Sequence, residues 1–132
     1  MASKCGNAVR LSVDHRADAP EEEERIINAG GMIEFGRLEG ELQVCRGLGD
    51  FELEPGLTPS PYIAEVPVDG LEYILMASDG IWDALSDQEA VNTVSEALLG
   101  DATLQEAAVE LVELSQEKGS RDDISLVIIQ FQ

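Results

Sequence analysis

The sequence of 132 residues predicts an α+β fold in which an antiparallel sheet carries two consecutive helices. Three observations favour this class. Residues 71–77 form an apolar run with β-branched and aromatic side chains, which is typical of a buried strand. Residues 86–99 and 103–118 repeat apolar side chains at helical spacing. Residues 124–131 form a further apolar run, so the two helices lie between two strands along the chain.

The beginning of the chain is expected to contain one strand and one helix. Residues 1–7 are small and polar and should be loosely ordered, whereas residues 8–12 suit a short strand. A helix is predicted from Pro20, because proline suits the first helical position and residues 21–24 place acids at the positive end of the helix dipole. This helix should end near Ala29, since two glycines follow it.

The middle of the chain is expected to be mostly extended. Two segments, 32–37 and 41–45, are predicted as strands joined by a turn at residues 38–40, which gives a hairpin. The segment 51–61 contains three prolines and should be an extended loop. Residues 62–66 have the composition of a strand.

Both later helices are predicted to begin with a capping box, in which a hydroxyl residue is followed three positions later by glutamate. The two pairs are Ser86 with Glu89 and Thr103 with Glu106. Glycines at positions 100 and 119 should end these helices. In the last strand, residues 126–129 are all apolar, so this strand is expected to be buried on both faces or central in its sheet.

The formal net charge of −19, from 27 acidic and 8 basic residues, argues against nucleic acids and anionic membranes as partners. It suits cation binding, although most of these acids are expected to form a solvated surface. The two cysteines, Cys5 and Cys45, lie far apart, which is typical of a reducing compartment. With no signal peptide and no membrane-length apolar run in the sequence, we expect a cytoplasmic protein, with the nucleus as an alternative location.

Acidic residues at the ends of the predicted strands are the candidate functional groups. Asp79 follows the strand at 71–77, and Asp83 lies one helical turn later. Asp122 precedes the last strand, so it would share one rim with Asp79 if the two strands are antiparallel neighbours. Carboxylate oxygens suit Mg²⁺ or Mn²⁺, and such a cluster fits a two-metal hydrolytic site. The alternative is that Asp79 only caps the helix that follows.

Five segments, in order along the chain, resemble the C-terminal half of the protein phosphatase 2C family, the metal-dependent Ser/Thr phosphatases. They are residues 11–15 (LSVDH), 24–31 (ERIINAGG), 42–50 (LQVCRGLGD), 77–83 (ASDGIWD) and 119–125 (GSRDDIS). The resemblance implies a partial β-sandwich flanked by helices, with a bimetal Mg²⁺/Mn²⁺ centre. It implies that Asp79 and Asp122 are ligands of the bimetal core and that Asp83 helps to hold a further, weaker metal. The implied reaction is attack of a metal-activated water on a phosphoserine or phosphothreonine protein.

The chain also departs from the family pattern. The "DGHGG" segment and the phosphate-binding arginine of the family's first half have no counterpart, so we expect residues 1–132 to be a single phosphatase 2C-like domain that lacks the N-terminal half and is inactive alone. The alternative is a non-catalytic phosphatase-like module that binds a partner, dimerises or pairs with the missing half, because half a sandwich leaves edges and apolar surface uncovered. A generic Ca²⁺-binding domain is a weaker alternative, since there is no EF-hand loop.

Four further residues stand out individually. Three of them have two possible roles each, and one departs from the family pattern. His15 is expected to be structural rather than a general acid. Cys45 replaces the family's usual serine. Arg46 either binds phosphate or braces its loop by pairing with an acid such as Asp50. Trp82 either shields the acidic site or packs under the following helix, which is the commoner role.

Overall fold

A computed structural model describes residues 1–131. The elements in chain order are β1 (Ala2–Lys4), β2 (Asn7–Val9), α1 (Pro20–Ala29), β3 (Ile33–Glu34), β4 (Arg37–Leu38), a 3₁₀ turn (Phe51–Leu53), β5 (Tyr73–Ala77), α2 (Asp79–Trp82), α3 (Asp87–Leu99), α4 (Leu104–Glu117) and β6 (Leu126–Gln130). They divide between a larger unit, Met1–Leu11 with Glu65–Gln132, and a smaller unit, Ser12–Ala64. Within residues 1–131, no helix is both long and apolar enough to cross a membrane.

The larger unit is built on a four-stranded sheet of order β2-β1-β5-β6, in which every pair is antiparallel. The β5–β6 pair is the longest, with Tyr73 opposite Gln130 at one end and Ala77 opposite Leu126 at the other. Alternate side chains of β5 point to opposite faces. Tyr73 and Leu75 are buried in the core, whereas Met76 is half exposed. In the part of the chain that the structure describes, one face of the β5–β6 pair is therefore covered and the other face is exposed to solvent.

Helices α3 and α4 pack on the covered face and form the core of the larger unit. The buried side chains of this core include Leu75 of β5, Ile81 of α2, Val91 and Val94 of α3, and Leu111 of α4. Both helices begin with the predicted capping boxes, in which Ser86 and Thr103 accept hydrogen bonds from the backbone N–H groups of Glu89 and Glu106. The predicted layout of two consecutive helices on an antiparallel sheet is confirmed.

The smaller unit has its own core around helix α1. Its buried apolar side chains are Ala17, Ile26, Leu38, Cys45, Leu53 and Leu57. Helix α1 begins and ends as predicted, with Pro20 in its first turn and Gly30 in the left-handed conformation after Ala29. Gly30 adopts φ +91°, which glycine accepts without strain. Of the two adjacent isoleucines in this helix, Ile26 is buried and Ile27 is exposed.

Several predictions about individual strands were wrong. Residues 1–7 are not loose, because β1 lies between β2 and β5 in the sheet. The hairpin turn lies at Phe35–Gly36, both at positive φ, rather than at residues 38–40. Residues 62–66 form no strand and are exposed. Strand β6 lies at the edge of the described sheet, and Val127 and Ile129 are 52% and 43% exposed, because nothing in residues 1–131 covers that face.

Candidate functional site: an acidic rim at the end of β5 and β6

Asp79 and Asp122 lie at the same end of the β5–β6 pair. Strands β5 and β6 are antiparallel neighbours, and their last paired residues at this end are Ala77 and Leu126. Asp79 follows Ala77 by two positions, and Asp122 precedes Leu126 by four. Antiparallel pairing therefore places both aspartates at one edge of the sheet. We call the group of Asp79, Asp83 and Asp122 the acidic rim.

Hydrogen bonds of Ser78 tie the two sides of the acidic rim together. The backbone N–H of Ser78 donates to the carbonyl of Ser125 at 3.0 Å. The Ser78 hydroxyl donates to the carbonyl of Asp123 at 3.1 Å and accepts from the N–H of Ser125 at 3.0 Å. The residue directly before Asp79 is thus fastened to the segment directly after Asp122. This arrangement restricts the separation between the two sides of the rim.

Gly80 allows a close approach between α2 and the segment before β6. A Cβ atom added at Gly80 would lie 2.9 Å from Cγ1 of Ile124 and 3.5 Å from Cβ of Asp122. Real side chains do not approach this closely, so a larger residue would push α2 away from the rim. Glycine at this position is explained by packing, because Gly80 is not at positive φ.

Asp79 does not act as the N-cap of α2. Ser78 occupies the N-cap position, no side chain caps this end of the helix, and Asp79 is the first helical residue. Asp83 lies at the other end of α2, and its N–H donates to the carbonyl of Asp79 at 2.8 Å. Both aspartates are exposed to solvent. The capping alternative is therefore not supported by the geometry, and both carboxylates are accessible to a cation.

A pocket of about 250 Å³ opens beside the acidic rim. It is lined by Gly80, Asp83, Ala84, Lys118, Gly119, Ser120, Arg121 and Asp122. The Lys118 ammonium pairs with Glu89 at 2.8 Å. The Asp122 carboxylate accepts a hydrogen bond of 2.8 Å from the N–H of Asp123, which orients it. Asp83 and Asp122 thus share one pocket, and Asp79 lies next to it in the chain, beside Gly80.

The donors of the acidic rim suit a hard cation, because Mg²⁺ prefers carboxylate oxygens and usually keeps several waters. Among residues 1–131, however, no group of three or more His, Cys, Asp or Glu side chains is placed to hold a metal ion. A cation at the rim would therefore take part of its coordination shell from water or from groups other than these side chains. The acidic rim therefore suits a metal centre of which it provides only some of the ligands.

Trp82 belongs to the packing of α2 rather than to the rim. Its indole Nε1–H donates to the carbonyl of Ala77 at 3.0 Å, and its ring packs against the core of the larger unit. This contact joins the end of β5 to α2. The commoner of the two roles expected for Trp82, packing under the helical layer, agrees with the structure.

A second polar cluster lies in the smaller unit, around the buried carboxylate of Glu22. Arg46 donates to Oε1 of Glu22 through Nε, at 2.8 Å, and through Nη2. Arg25 donates to Oε2 through Nε at 2.6 Å. Arg46 thus pairs with an acid, which was one of its two interpretations, but that acid is Glu22 rather than the example Asp50. Burial alone would raise the pKa of the Glu22 carboxyl, but the hydrogen bonds from Arg46 and Arg25 outweigh it and lower the pKa to about 2.

His15 and Cys45 complete this cluster. Nδ1 of His15 lies 2.8 Å from Oε1 of Glu22, and because a carboxylate only accepts, Nδ1 carries the proton. The Cys45 sulfur lies 3.0 Å from the carbonyl oxygen of His15 and 3.3 Å from Oε2 of Glu22, so its single S–H faces two acceptors. These contacts support a structural role for His15. In the sequence, Glu22 is one of four acids at the positive end of the helix dipole, although the spacing from Glu22 to Arg25 also suits an ion pair.

A family profile described as "Protein phosphatase 2C" matches residues 1–124. "Probable protein phosphatase 2C 11" of Arabidopsis thaliana is 39% identical over 135 residues, which cover 100% of this chain and 35% of that protein. "Probable protein phosphatase 2C 32" of Oryza sativa subsp. japonica is 39% identical over 139 residues, covering 100% of this chain and 36% of that protein. The chain therefore spans about a third of the length of these curated relatives.

Solved structures show the same fold. The structure described as "Structure of a C.elegans sex determining protein" superposes with a TM-score of 0.81 at 28% identity, covering 98% of this chain and 33% of that one. The structure described as "Crystal structure of serine-threonine phosphatase 2C from Toxoplasma gondii" gives a TM-score of 0.72 at 25% identity, covering 99% of this chain and 50% of that one.

Proposed function

Because the chain belongs to the protein phosphatase 2C family, we propose that it is the part of a metal-dependent Ser/Thr protein phosphatase that carries one side of the metal centre. The observation that supports this most directly is the antiparallel pairing of β5 and β6, which places Asp79 and Asp122 at one rim. Phosphoserine and phosphothreonine proteins are the proposed substrates of the whole enzyme.

We assign the acidic rim to Mg²⁺ or Mn²⁺, with Asp79 and Asp122 as principal ligands and Asp83 as a ligand of a further ion. A bound divalent cation supplies Lewis acidity toward water and toward a phosphoryl oxygen. The three carboxylates of this chain provide negatively charged oxygen ligands for the cation. The hydrogen bonds of Ser78 fix the distance between the strand ends that carry these carboxylates. We place the phosphate group of the substrate in the pocket that Asp83 and Asp122 line beside the rim.

We further propose that residues 1–132 form one phosphatase 2C-like domain that is inactive without the remainder of the family's catalytic domain. Two observations support this. No group of three ligand side chains for a metal exists among residues 1–131, and the chain spans about a third of its curated relatives. Two carboxylates alone rarely hold a pair of Mg²⁺ ions.

The acidic rim is tested by titrating Mn²⁺ into the ¹⁵N-labelled chain, because Mn²⁺ broadens the amide signals of residues near it. Signals from residues 79–83 and 121–124 should broaden at lower Mn²⁺ concentration than those of other acidic segments. Asp122→Asn should abolish this preference. Asp69→Asn is the matched control, since it removes the same charge before β5, at the other end of the strand. Equal broadening of all acidic segments in the unaltered chain would contradict the proposal.

The proposed inactivity has its own test, an assay of the purified chain on a phosphothreonine peptide with Mn²⁺. We expect turnover at least a thousandfold below that of a complete enzyme of the family, on the order of the loss seen when several catalytic groups are removed. Turnover comparable with the complete enzyme would show that the chain forms a full site, for example by self-association.

A non-catalytic binding role is the second candidate, and the open sheet face favours it. Met76, Val127 and Ile129 are each about half exposed on the face of β5–β6 that α3 and α4 do not cover. An exposed apolar face beside an edge strand is typical of an interaction surface. Sedimentation equilibrium tests self-association through this face. Dimers that dissociate in Val127→Lys would support it, and a monomer at all concentrations would contradict it.

A further inference from the structure

Ser115 is a fully buried polar residue in α4 that contacts α2. Its exposed fraction is 0%, and its hydroxyl donates a hydrogen bond of 2.6 Å to the carbonyl of Gly80. Gly80 lies between Asp79, the first residue of α2, and Asp83, the residue that directly follows this helix. The hydroxyl thus acts on the backbone of the short segment that carries two of the three rim carboxylates.

Helix α2 has four residues, too few to be stable by its own hydrogen bonds. At its C-terminal end, the N–H of Ala84 donates to the carbonyl of Ile81 rather than to that of Gly80. The Gly80 carbonyl instead receives the Ser115 hydroxyl. A buried carbonyl without a donor is costly, so Ser115 stabilises this conformation of α2 specifically.

The same serine also anchors the other side of the acidic rim. Its backbone carbonyl accepts a hydrogen bond of 3.0 Å from the N–H of Ser120, just after the end of α4. Ser120 begins the short segment that leads to Asp122 and lines the pocket beside it. Ser115 is therefore hydrogen-bonded to both segments that carry the rim. Its side chain binds the segment of Asp79 and Asp83, and its main chain binds the segment that leads to Asp122.

We propose that Ser115 is a positioning residue that sets the divalent-cation affinity of the acidic rim, an inference that rests on the proposed metal-binding function. It contacts neither the ion nor the substrate. It acts by holding Gly80, and removal of its hydroxyl lets α2 shift relative to Asp122. The carboxylates then remain present and charged but no longer converge on one cation.

The test compares Ser115→Ala with Val94→Ala in the Mn²⁺ titration described above. Val94 of α3 is buried in the same core and is not a residue of the acidic rim, so its truncation controls for loss of stability. Ser115→Ala should raise the Mn²⁺ concentration needed to broaden residues 79–83 and 121–124 by about tenfold, the usual effect of losing a residue that orients a ligand. Val94→Ala should leave that concentration unchanged.

A second measurement without metal keeps the test independent of cation binding. The amide of Asp83 donates to the carbonyl of Asp79 and reports whether α2 is closed. Its hydrogen exchange should accelerate in Ser115→Ala relative to the amides of β5, and not in Val94→Ala. Ser115→Cys, which keeps a hydrogen-bond donor but a weaker one, should lie between the unaltered chain and Ser115→Ala in both measurements.

The outcomes separate the two proposals. If the unaltered chain shows no preferential broadening at the rim, the proposed metal site is overturned and the role of Ser115 with it. If the unaltered chain binds Mn²⁺ at the rim and Ser115→Ala binds it equally well, only the role of Ser115 is overturned. Equal weakening by Val94→Ala would also overturn it, because general destabilisation would then account for the effect.

Discussion

Nε of Arg46 lies 2.8 Å from Oε1 of Glu22 and donates to it, and this pair is the centre of the buried polar cluster in the smaller unit. Arg46 also donates to the carbonyl of Ser60, and Arg25 donates to the carbonyls of Cys45 and Gly56. One carboxylate therefore organises two guanidinium groups, and these groups in turn hold three backbone segments. The cluster has the form of a structural ion-pair network rather than a catalytic site.

Acid should weaken the smaller unit through Glu22. The Glu22 carboxyl has its pKa lowered from 4.5 to about 2, since the hydrogen bonds of Arg46 and Arg25 outweigh the effect of burial. Its contribution to the free energy of unfolding is fully present above pH 4.5 and is lost as the pH falls toward 2, up to about 3 kcal/mol. Carboxyl ¹³C NMR of the folded chain measures this pKa directly, and a value near 4.5 would contradict the prediction.

Glu22→Gln should be destabilising near neutral pH, because it leaves two guanidinium groups without their charged partner, and the cost of breaking such a pair is about 3 kcal/mol or more. Its free energy of unfolding should depend less on pH between 4.5 and 2 than that of the unaltered chain. Glu21→Gln is the control, since Glu21 is exposed on the same helix. Urea unfolding at several pH values measures both.

The two cysteines should differ sharply in reactivity. Burial raises the pKa of the Cys45 thiol to about 11, and the neighbouring Glu22 carboxylate adds to the effect. Cys5 is exposed in the turn between β1 and β2. Iodoacetamide at pH 8 should therefore alkylate Cys5 alone in the folded chain and both cysteines in denaturant. Mass spectrometry of Cys5→Ser checks this, because appreciable labelling of that folded variant would show that Cys45 is accessible.

Gly80→Ala should destabilise the chain and displace the rim. The added methyl would lie 2.9 Å from Cγ1 of Ile124 and 3.2 Å from the carbonyl of Asp123, so α2 must move. We expect a cost of about 1–3 kcal/mol, the usual effect of overpacking. Gly100→Ala is the matched control, because its nearest neighbour is 3.4 Å away and its φ is −85°. Thermal unfolding of both variants gives the comparison, and equal stability of the two would contradict the steric argument.

Tyr73→Phe should loosen the contact between β5 and α3. The Tyr73 hydroxyl is buried, donates to the carbonyl of Val91 at 2.8 Å and lies 2.8 Å from the hydroxyl of Ser95. Loss of a buried hydrogen-bonding group costs about 1–2 kcal/mol. Ser95→Ala in the Tyr73→Phe background should add little, since the two side chains act as a pair. A double-mutant cycle by urea unfolding measures this coupling, and strictly additive effects would show that the hydroxyls act independently.

Local signals made much of the larger unit predictable. A serine or threonine followed three residues later by glutamate predicts the start of a helix. Both α3 and α4 begin where these capping pairs predict. The strand ending at Ala77 was recognisable from its apolar run. The common edge of Asp79 and Asp122 was expected only if their two strands are antiparallel neighbours. The sequence did not decide between parallel and antiparallel pairing of these strands. The structure decides this in favour of antiparallel neighbours.

The errors came from interactions between residues distant in the chain. Strand β1 is short and polar, and it forms because β2 and β5 supply hydrogen-bonding partners on both sides. The exposure of Val127 was not predictable, because an apolar run looks the same whether or not its second face is covered. Glu22 resembled other acids in its helix, and its partner Arg46 lies 24 positions away. Ser115 gave one signal only, since it follows Leu111 by four positions on the buried face of α4.

The acidic rim joins the ends of two strands that are remote in sequence, and this has a thermodynamic consequence. Any ligand that bridges Asp79 and Asp122 binds only the paired state of β5 and β6. Such a ligand must raise the melting temperature as its concentration exceeds its dissociation constant, by mass action alone. A thermal-shift screen over divalent ions and phosphate esters thus ranks the ligands of this edge without requiring any turnover.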